Sequence, residues 1–159
     1  MLAGTVQVAA IVTAVAGVAW LAFTLSFRTR FRPMQDAIRR LNRRTINPRQ
    51  LRTAGRPGAR ASAVQHVGRT SGTTYRTPVV AVPIDGGFVI ALPYGPGTDW
   101  VRNVRAAGAA TIEHEGHRIR VERPEVVPGS DAGPHFPRMV QRTHRLYGID
   151  DFLLLRRAG

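Results

Sequence analysis

The stretch Ala110-Thr111-Ile112-Glu113-His114-Glu115-Gly116-His117-Arg118-Ile119-Arg120-Val121-Glu122-Arg123 decides the fold. Glu115-Gly116 is a two-residue turn signal. With His114 facing His117, the register sets Ile112 against Ile119 and Glu113 against Arg118. One face of the hairpin is then apolar and the other carries opposite charges, as a half-buried antiparallel sheet requires. Glu113, Glu115 and Glu122 accordingly read as solvated or paired with Arg118 and Arg120 rather than as a general acid/base couple.

On the N-terminal side, residues 63–67, 76–84 and 88–92 are rich in Val and other strand formers. Gly68 ends the first run, and Asp85-Gly86-Gly87 joins the other two into a hairpin expected at the heart of the sheet. After the break Pro93-Tyr94-Gly95-Pro96-Gly97, Thr98 or Asp99 can cap a short helix over 100–107 that Gly108 closes. A loop beyond Pro124, a helix over 135–147 and an apolar strand over 152–155 complete the chain. The sum is an α+β, mainly β domain over 61–159: a small antiparallel barrel or half-open sheet with one or two helices.

The remainder of the 159 residues is of another kind. Residues 1–27 contain no charged side chain, and roughly 20 such residues cross a hydrocarbon core of about 30 Å. They predict a transmembrane helix. Charge begins abruptly at Arg28, Arg30 and Arg32; residues 28–60 hold eleven Arg against Asp36 alone, so +10 of the formal net charge of +13 lies there. Positive residues mark the cytoplasmic flank of a span, which predicts a single-pass membrane protein with its N-terminus outside and the domain in the cytoplasm. Within this stretch Pro33 can open a helix with Met34, Ala37, Ile38 and Leu41 on one face and Arg39, Arg40, Arg43 and Arg44 on the rest, suited to anionic lipids. Nucleic acid is a poorer partner, because only Phe31 could stack on a base there. Residues 47–62, with Pro48, Gly55, Pro57 and Gly58, read as a linker or an irregular first loop.

The absence of Cys excludes disulfides, thiolate metal sites and thiol catalysis. His114 and His117 lie across a tight turn with no third ligand in view, so no metal is expected. The Ser residues lack a Gly-x-Ser-x-Gly elbow. His66, His135 and His144 carry no signal of their own, and Trp100 reads as a core anchor. The strongest chemical motif is Gly68-Arg69-Thr70-Ser71-Gly72 followed by Arg76-Thr77-Pro78, a Gly-flanked turn whose N–H and O–H donors could cradle a phosphate, or simply a solvated hairpin turn. It is not a Walker loop, since the chain has no Lys.

Together with Val79, the segment Ala91-Leu92-Pro93-Tyr94-Gly95 and the segment Asp99-Trp100-Val101-Arg102-Asn103, these motifs resemble the deazaflavin-dependent nitroreductase family. Those proteins are split β-barrels that bind coenzyme F420. The resemblance covers about residues 61–127 and, loosely, the last strand. It implies that Arg69, Thr70, Ser71, Gly72 and Arg76 hold the cofactor's phosphate and acidic tail. Thr77, Pro78 and Val79, with Leu92, Pro93, Tyr94 and Gly95, would border the deazaflavin ring, and Trp100 and Asn103 would fix the closing helix. The family's chemistry is hydride transfer from the reduced cofactor, which needs no protein nucleophile. Family members active on nitro compounds share a Tyr-rich segment near the C-terminus; here residues 136–147 offer only Phe136, His144 and Tyr147 as substrate contacts. The implied activity is an F420H2-dependent reductase acting on a small lipophilic acceptor (quinone, enone or nitro compound) at the cytoplasmic face of the membrane. The alternatives are an FMN-dependent split-barrel oxidoreductase and a non-enzymatic, membrane-anchored basic module for lipid or nucleic acid. Monomer and homodimer are both left open.

Overall fold

A computed structural model describes residues 16–18, 20, 21, 24 and 40–159. The membrane span expected over 1–27 and the basic helix over 33–44 fall largely outside the described residues. Among those described, no helix is long and apolar enough to cross a membrane.

Seven strands form one antiparallel sheet: β1 (Ser62–Val67), β2 (Thr74–Val79), β3 (Ala81–Ile84), β4 (Gly87–Ala91), β5 (Ala109–His114), β6 (His117–Pro128) and β7 (Asp151–Arg157), in the spatial order β2-β1-β5-β6-β7-β4-β3. The β5–β6 hairpin has the expected register, Ile112 with Ile119 and Glu113 with Arg118. Its turn residues Glu115 and Gly116 both take positive φ, 48° and 79°. The two outermost strands, β2 and β3, are consecutive in the chain and separated only by Val80. Two residues of extended chain span about 7 Å, so the edges of the sheet must come together. The sheet therefore curls into a half-barrel whose seam is covalent.

The run 76–84, expected as one strand, is thus two strands on opposite edges, and the hairpin expected at the heart of the sheet contributes an edge. Proline explains the split. Pro78 and Pro83 have no N–H for a second neighbour, so each is confined to an edge. The centre belongs instead to β6 and β7. A bulge between Glu122 and Glu125, with Arg123 at φ 53°, lets β6 continue through the expected loop to Pro128 and pair with β7. A helical turn (Gly129–Ala132), a 3-10 turn (Gly133–His135) and the helix Arg138–Leu146 follow, the last starting after Pro137 rather than at His135.

Side chains on the two faces of the curled sheet form two clusters. Inside lie Val64, Phe88, Ile90, Ile112, Val121, Leu153 and Leu155, together with Val101 and Val104 of the helix Asp99–Ala107, whose apolar stripe plugs the barrel. Outside, Val89 and Phe152 pack with Ala132, Phe136 and Val140 beneath the C-terminal helix. Strands β4 and β7 are covered on both faces, which is why they read as continuous rather than alternating apolar runs.

A π-helical turn (Asn42–Ile46) leads into α1 (Asn47–Leu51), and residues 52–60 then pack on the sheet. Ala54 is buried, Gly55 N donates to Ala61 O (2.8 Å), and Gly116 N donates to Gly55 O (2.6 Å). The stretch 47–62, expected as a linker or an irregular first loop, is neither throughout: Asn47–Leu51 is helical, Ser62 already belongs to β1, and only residues 52–61 form an irregular loop. The helix Asp99–Ala107 is called α2 below, and Arg138–Leu146 α3.

Candidate functional site

The β1–β2 connection, Gly68 to Thr73, is a folded loop. Gly68 N donates to Thr73 O (2.8 Å), Gly72 N to Gly68 O (2.9 Å), and Thr73 N to the Ser71 hydroxyl (3.3 Å), which also lies 3.2 Å from Tyr75 Oη. A Cβ at Gly68 would meet Ser71 Oγ and the Tyr75 ring, so a larger residue there would have to displace both side chains from the loop.

The loop is fastened to α2 by Arg69. Its backbone N–H and its Nη1 both donate to Asn103 Oδ1, at 3.2 and 2.8 Å, while Nη2 lies 3.2 Å from Asp99 Oδ1. Asn103, on the buried face of α2, donates from Nδ2 to His66 Nδ1 (3.3 Å). Because Nδ1 accepts, the neutral ring carries its proton on Nε2, which donates to Thr77 Oγ1 at 3.1 Å. Burial holds the His66 pKa below its ordinary 6.5, consistent with this neutral tautomer. One chain of hydrogen bonds, Arg69–Asn103–His66–Thr77, therefore ties loop, helix and two strands together.

Strand alternation sorts the remaining predicted residues. His66 faces Tyr75 and Val64 faces Thr77 across β1–β2, so these four share the inner face, and Val79 follows them against the core. Arg76 and Pro78 point the other way. Arg76 pairs with Glu113 on the outer face, and Arg118 donates to Gln65 Oε1 (2.8 Å), so the expected Glu113–Arg118 ion pair is replaced by Glu113–Arg76. Glu115 accepts from Gly58 N (2.8 Å), and Glu122 lies 3.7 Å from Arg123. The structure thus brings Arg69, Asn103 and Thr77 into one network and places Arg76 outside it. Thr70, Ser71 and Gly72 are exposed at the loop tip. Leu92 is buried in the inner core, Pro93 is exposed, and Tyr94 is half-buried, its Oη accepting from Asn42 Nδ2 (2.8 Å). Gly95 N closes a turn onto Leu92 O (2.9 Å), and Trp100 packs partly buried on the inner core. His144 lies in the outer layer, edge-on to Phe136 (4.9 Å) and Phe152 (5.3 Å), and Tyr147 follows the end of α3; the structure does not join either to the Arg69 network.

No family model matches the chain, and no curated protein matches it. Solved structures do. One described as a domain-swapped dimer overlaps 76% of this chain and 98% of its own at 13% identity and TM-score 0.49. An F420 reductase overlaps 68% of this chain and 92% of its own at 12% identity and TM-score 0.42. An F420-H2 dependent reductase, FDR-A, overlaps 60% and 93% at 13% identity and TM-score 0.40. With scores below 0.5, the functional reading rests on the residues of this chain.

One residue of the site, and one orphaned hydroxyl beside α2, escape sequence reasoning. His66 gives no signal as an isolated histidine, but pairing residues 67 and 74 across the Gly68–Thr73 loop sets it opposite Tyr75 and diagonal to Thr77. Thr98, expected as a helix cap, makes no capping bond, and its buried hydroxyl has no partner among the described residues.

Proposed function

We propose that this chain binds a deazaflavin cofactor of the F420 type through the Gly68–Thr73 loop and serves as a reductase for a small lipophilic acceptor at a membrane surface. The observation that carries the reading is the held guanidinium of Arg69. Asn103 and Asp99 take two of its five N–H donors, fixing its plane and leaving three for an oxyanion. The amides of Thr70 and Ser71 beside it make no hydrogen bond among the described residues. Donors fixed before the ligand arrives lose little freedom on binding, which favours phosphate over a looser counter-ion.

The donor set fits the group. F420 carries a phosphodiester and carboxylates, for which Arg69, Thr70 and Ser71 would supply N–H and O–H groups, while Gly72, its own N–H already given to Gly68 O, would shape the turn at φ 66°. Thr77, Val79 and the segment Leu92 to Gly95 would border its ring. When bound in its reduced form, such a cofactor supplies a hydride. The chain's own part is orientation: Asn103 holds Arg69, and His66, keeping its proton on Nε2, holds Thr77.

The membrane setting is supported by the uncharged residues 1–27, the Arg excess that follows, and the Asn42–Tyr94 hydrogen bond, which ties the middle of the basic segment to the loop expected at the cofactor ring. Titration of the full-length chain with oxidised F420 and with FMN, read by fluorescence, tests the reading. Saturable F420 binding with weaker FMN binding is expected; tight FMN binding with none of F420 would replace the cofactor.

A further inference from the structure

The outer face of the sheet carries a second basic site that the Arg69 network does not use. A cleft of about 320 Å³ lies between residues 51–57 and the strands β2, β5 and β6. Arg52 and Arg56 enter it from the first loop, Arg76 from β2 and Arg118 from β6, with His117 at its rim. Glu113, the one carboxylate in its lining, is already paired with Arg76. Four arginines from three separate parts of the chain thus line one concavity whose lining includes a single acid; Arg76 is paired with that acid and Arg118 with Gln65, while Arg52 and Arg56 add two further positive charges. The net positive charge of this lining favours an anion, and a concave wall strengthens the field that anion would feel.

The cleft is built rather than incidental. Gly55, at φ +81°, lies so close to β5 that a Cβ there would come within 2.7 Å of Glu113 Cβ. The Gly55–Ala61 and Gly116–Gly55 backbone bonds and the Gly58–Glu115 bond clamp the loop to the β5–β6 turn. The wall carrying Arg52 and Arg56 is therefore fixed before any ligand arrives. Arg52 and Arg56 also lie near the end of the Arg-rich stretch that follows the uncharged residues 1–27, so the membrane setting proposed above would bring this wall of the cleft near a lipid surface.

We propose that this cleft binds the phosphate group of an anionic lipid, and that it docks the folded domain on the bilayer independently of the cofactor loop. The assignment does not rest on the F420 reading.

The test uses the full-length chain in neutral detergent, with dihexanoyl-phosphatidylglycerol, dihexanoyl-phosphatidylcholine and inorganic phosphate as probes at constant ionic strength. A ligand that binds only the folded state raises the melting temperature. Phosphatidylglycerol is expected to raise it saturably, and phosphatidylcholine is not. Arg52→Gln with Arg56→Gln should weaken the response roughly tenfold or more, while Arg102→Gln with Arg105→Gln, which removes the same charge from the exposed face of α2, should not. Inorganic phosphate acting at equal or lower concentration than the lipid would make the ligand a soluble anion and overturn the lipid assignment. An equal loss in the α2 variant would reduce the effect to general electrostatics. Loss of F420 affinity in the Arg52/Arg56 variant would hand the cleft to the cofactor; either result overturns the proposal, whereas unchanged F420 binding beside a lost lipid response supports it.

Discussion

Asn103 Oδ1 accepts two hydrogen bonds from Arg69, one from its backbone amide at 3.2 Å and one from its guanidinium at 2.8 Å. A single side-chain oxygen on α2 thereby sets both the path of the loop and the direction of its cation. Asn103→Ala should destabilise the fold by about 1–3 kcal/mol, because it strands the amide of Arg69 and the Nδ1 of His66. It should also weaken F420 binding roughly tenfold or more through loss of loop order. Urea denaturation and fluorescence titration measure the two effects. Full F420 affinity in a folded Asn103→Ala protein would refute the claim that this bond positions the cradle.

Arg69 and Arg76 lie close in sequence but on different faces of the hairpin. Arg69→Ala is expected to reduce F420 affinity by about 10- to 150-fold, the worth of a charge-assisted phosphate contact. Arg76→Ala should cost much less, since Arg76 is paired with Glu113 on the outer face. A reversed ranking in the titration would show that the cofactor is held on the other side of the sheet.

Acid should loosen the fold through two histidines. Burial lowers the pKa of both His66 and His144 from 6.5, so the unfolded chain takes up protons that the folded chain refuses. Stability is therefore full above pH 6.5 and declines as pH falls below it. The urea midpoint should be lower at about pH 5.5 than at about pH 7.5, and His144→Phe, which keeps a ring against Phe136 and Phe152, should reduce that difference. Identical midpoints at both pH values would contradict the assignment.

The outer cluster predicts a contrast in core energetics. Phe152→Ala should cost about 3–5 kcal/mol, because its ring is 1% exposed and packs 5.4 Å from Phe136. Leu146→Ala, at a site 44% exposed, should cost well under half of that. Chemical denaturation of both variants provides the comparison.

The proposed membrane setting makes residues 1–60 responsible for association. The full-length chain should sediment with membranes and resist extraction by high salt, and a variant lacking residues 1–27 should be released by salt that screens its remaining Arg residues. Recovery of the full-length chain in the soluble fraction at low salt would remove the anchor and the lipophilic-acceptor reading with it.

Local chemistry makes much of this architecture legible in the amino-acid sequence. The Glu115-Gly116 turn sets the β5–β6 register, and Gly108 closes α2 as expected, at φ 68°. Long-range pairing is not legible. Nothing around Val80 announces that the chain passes from one edge of the sheet to the other, although Pro78 and Pro83 do exclude a central strand. At the site, the turn motif points to Arg69 and the resemblance to Asn103, but the partner linking them to the sheet, His66, emerges only through the hairpin register. Nearness in sequence groups Arg76 with Arg69, whereas strand alternation separates them.

The position of β7 has a consequence for biosynthesis. Asp151–Arg157 is the last-made of the seven strands, yet it lies between β6 and β4 in the finished sheet. Until it leaves the ribosome, the nascent chain holds two pieces, β2-β1-β5-β6 and β4-β3, linked along the chain through Val80, each showing an open backbone edge where β7 will insert. Completion of the barrel is then a single late insertion, and a ribosome that stalls before residue 151 would release a product with two adhesive edges and no means of covering them.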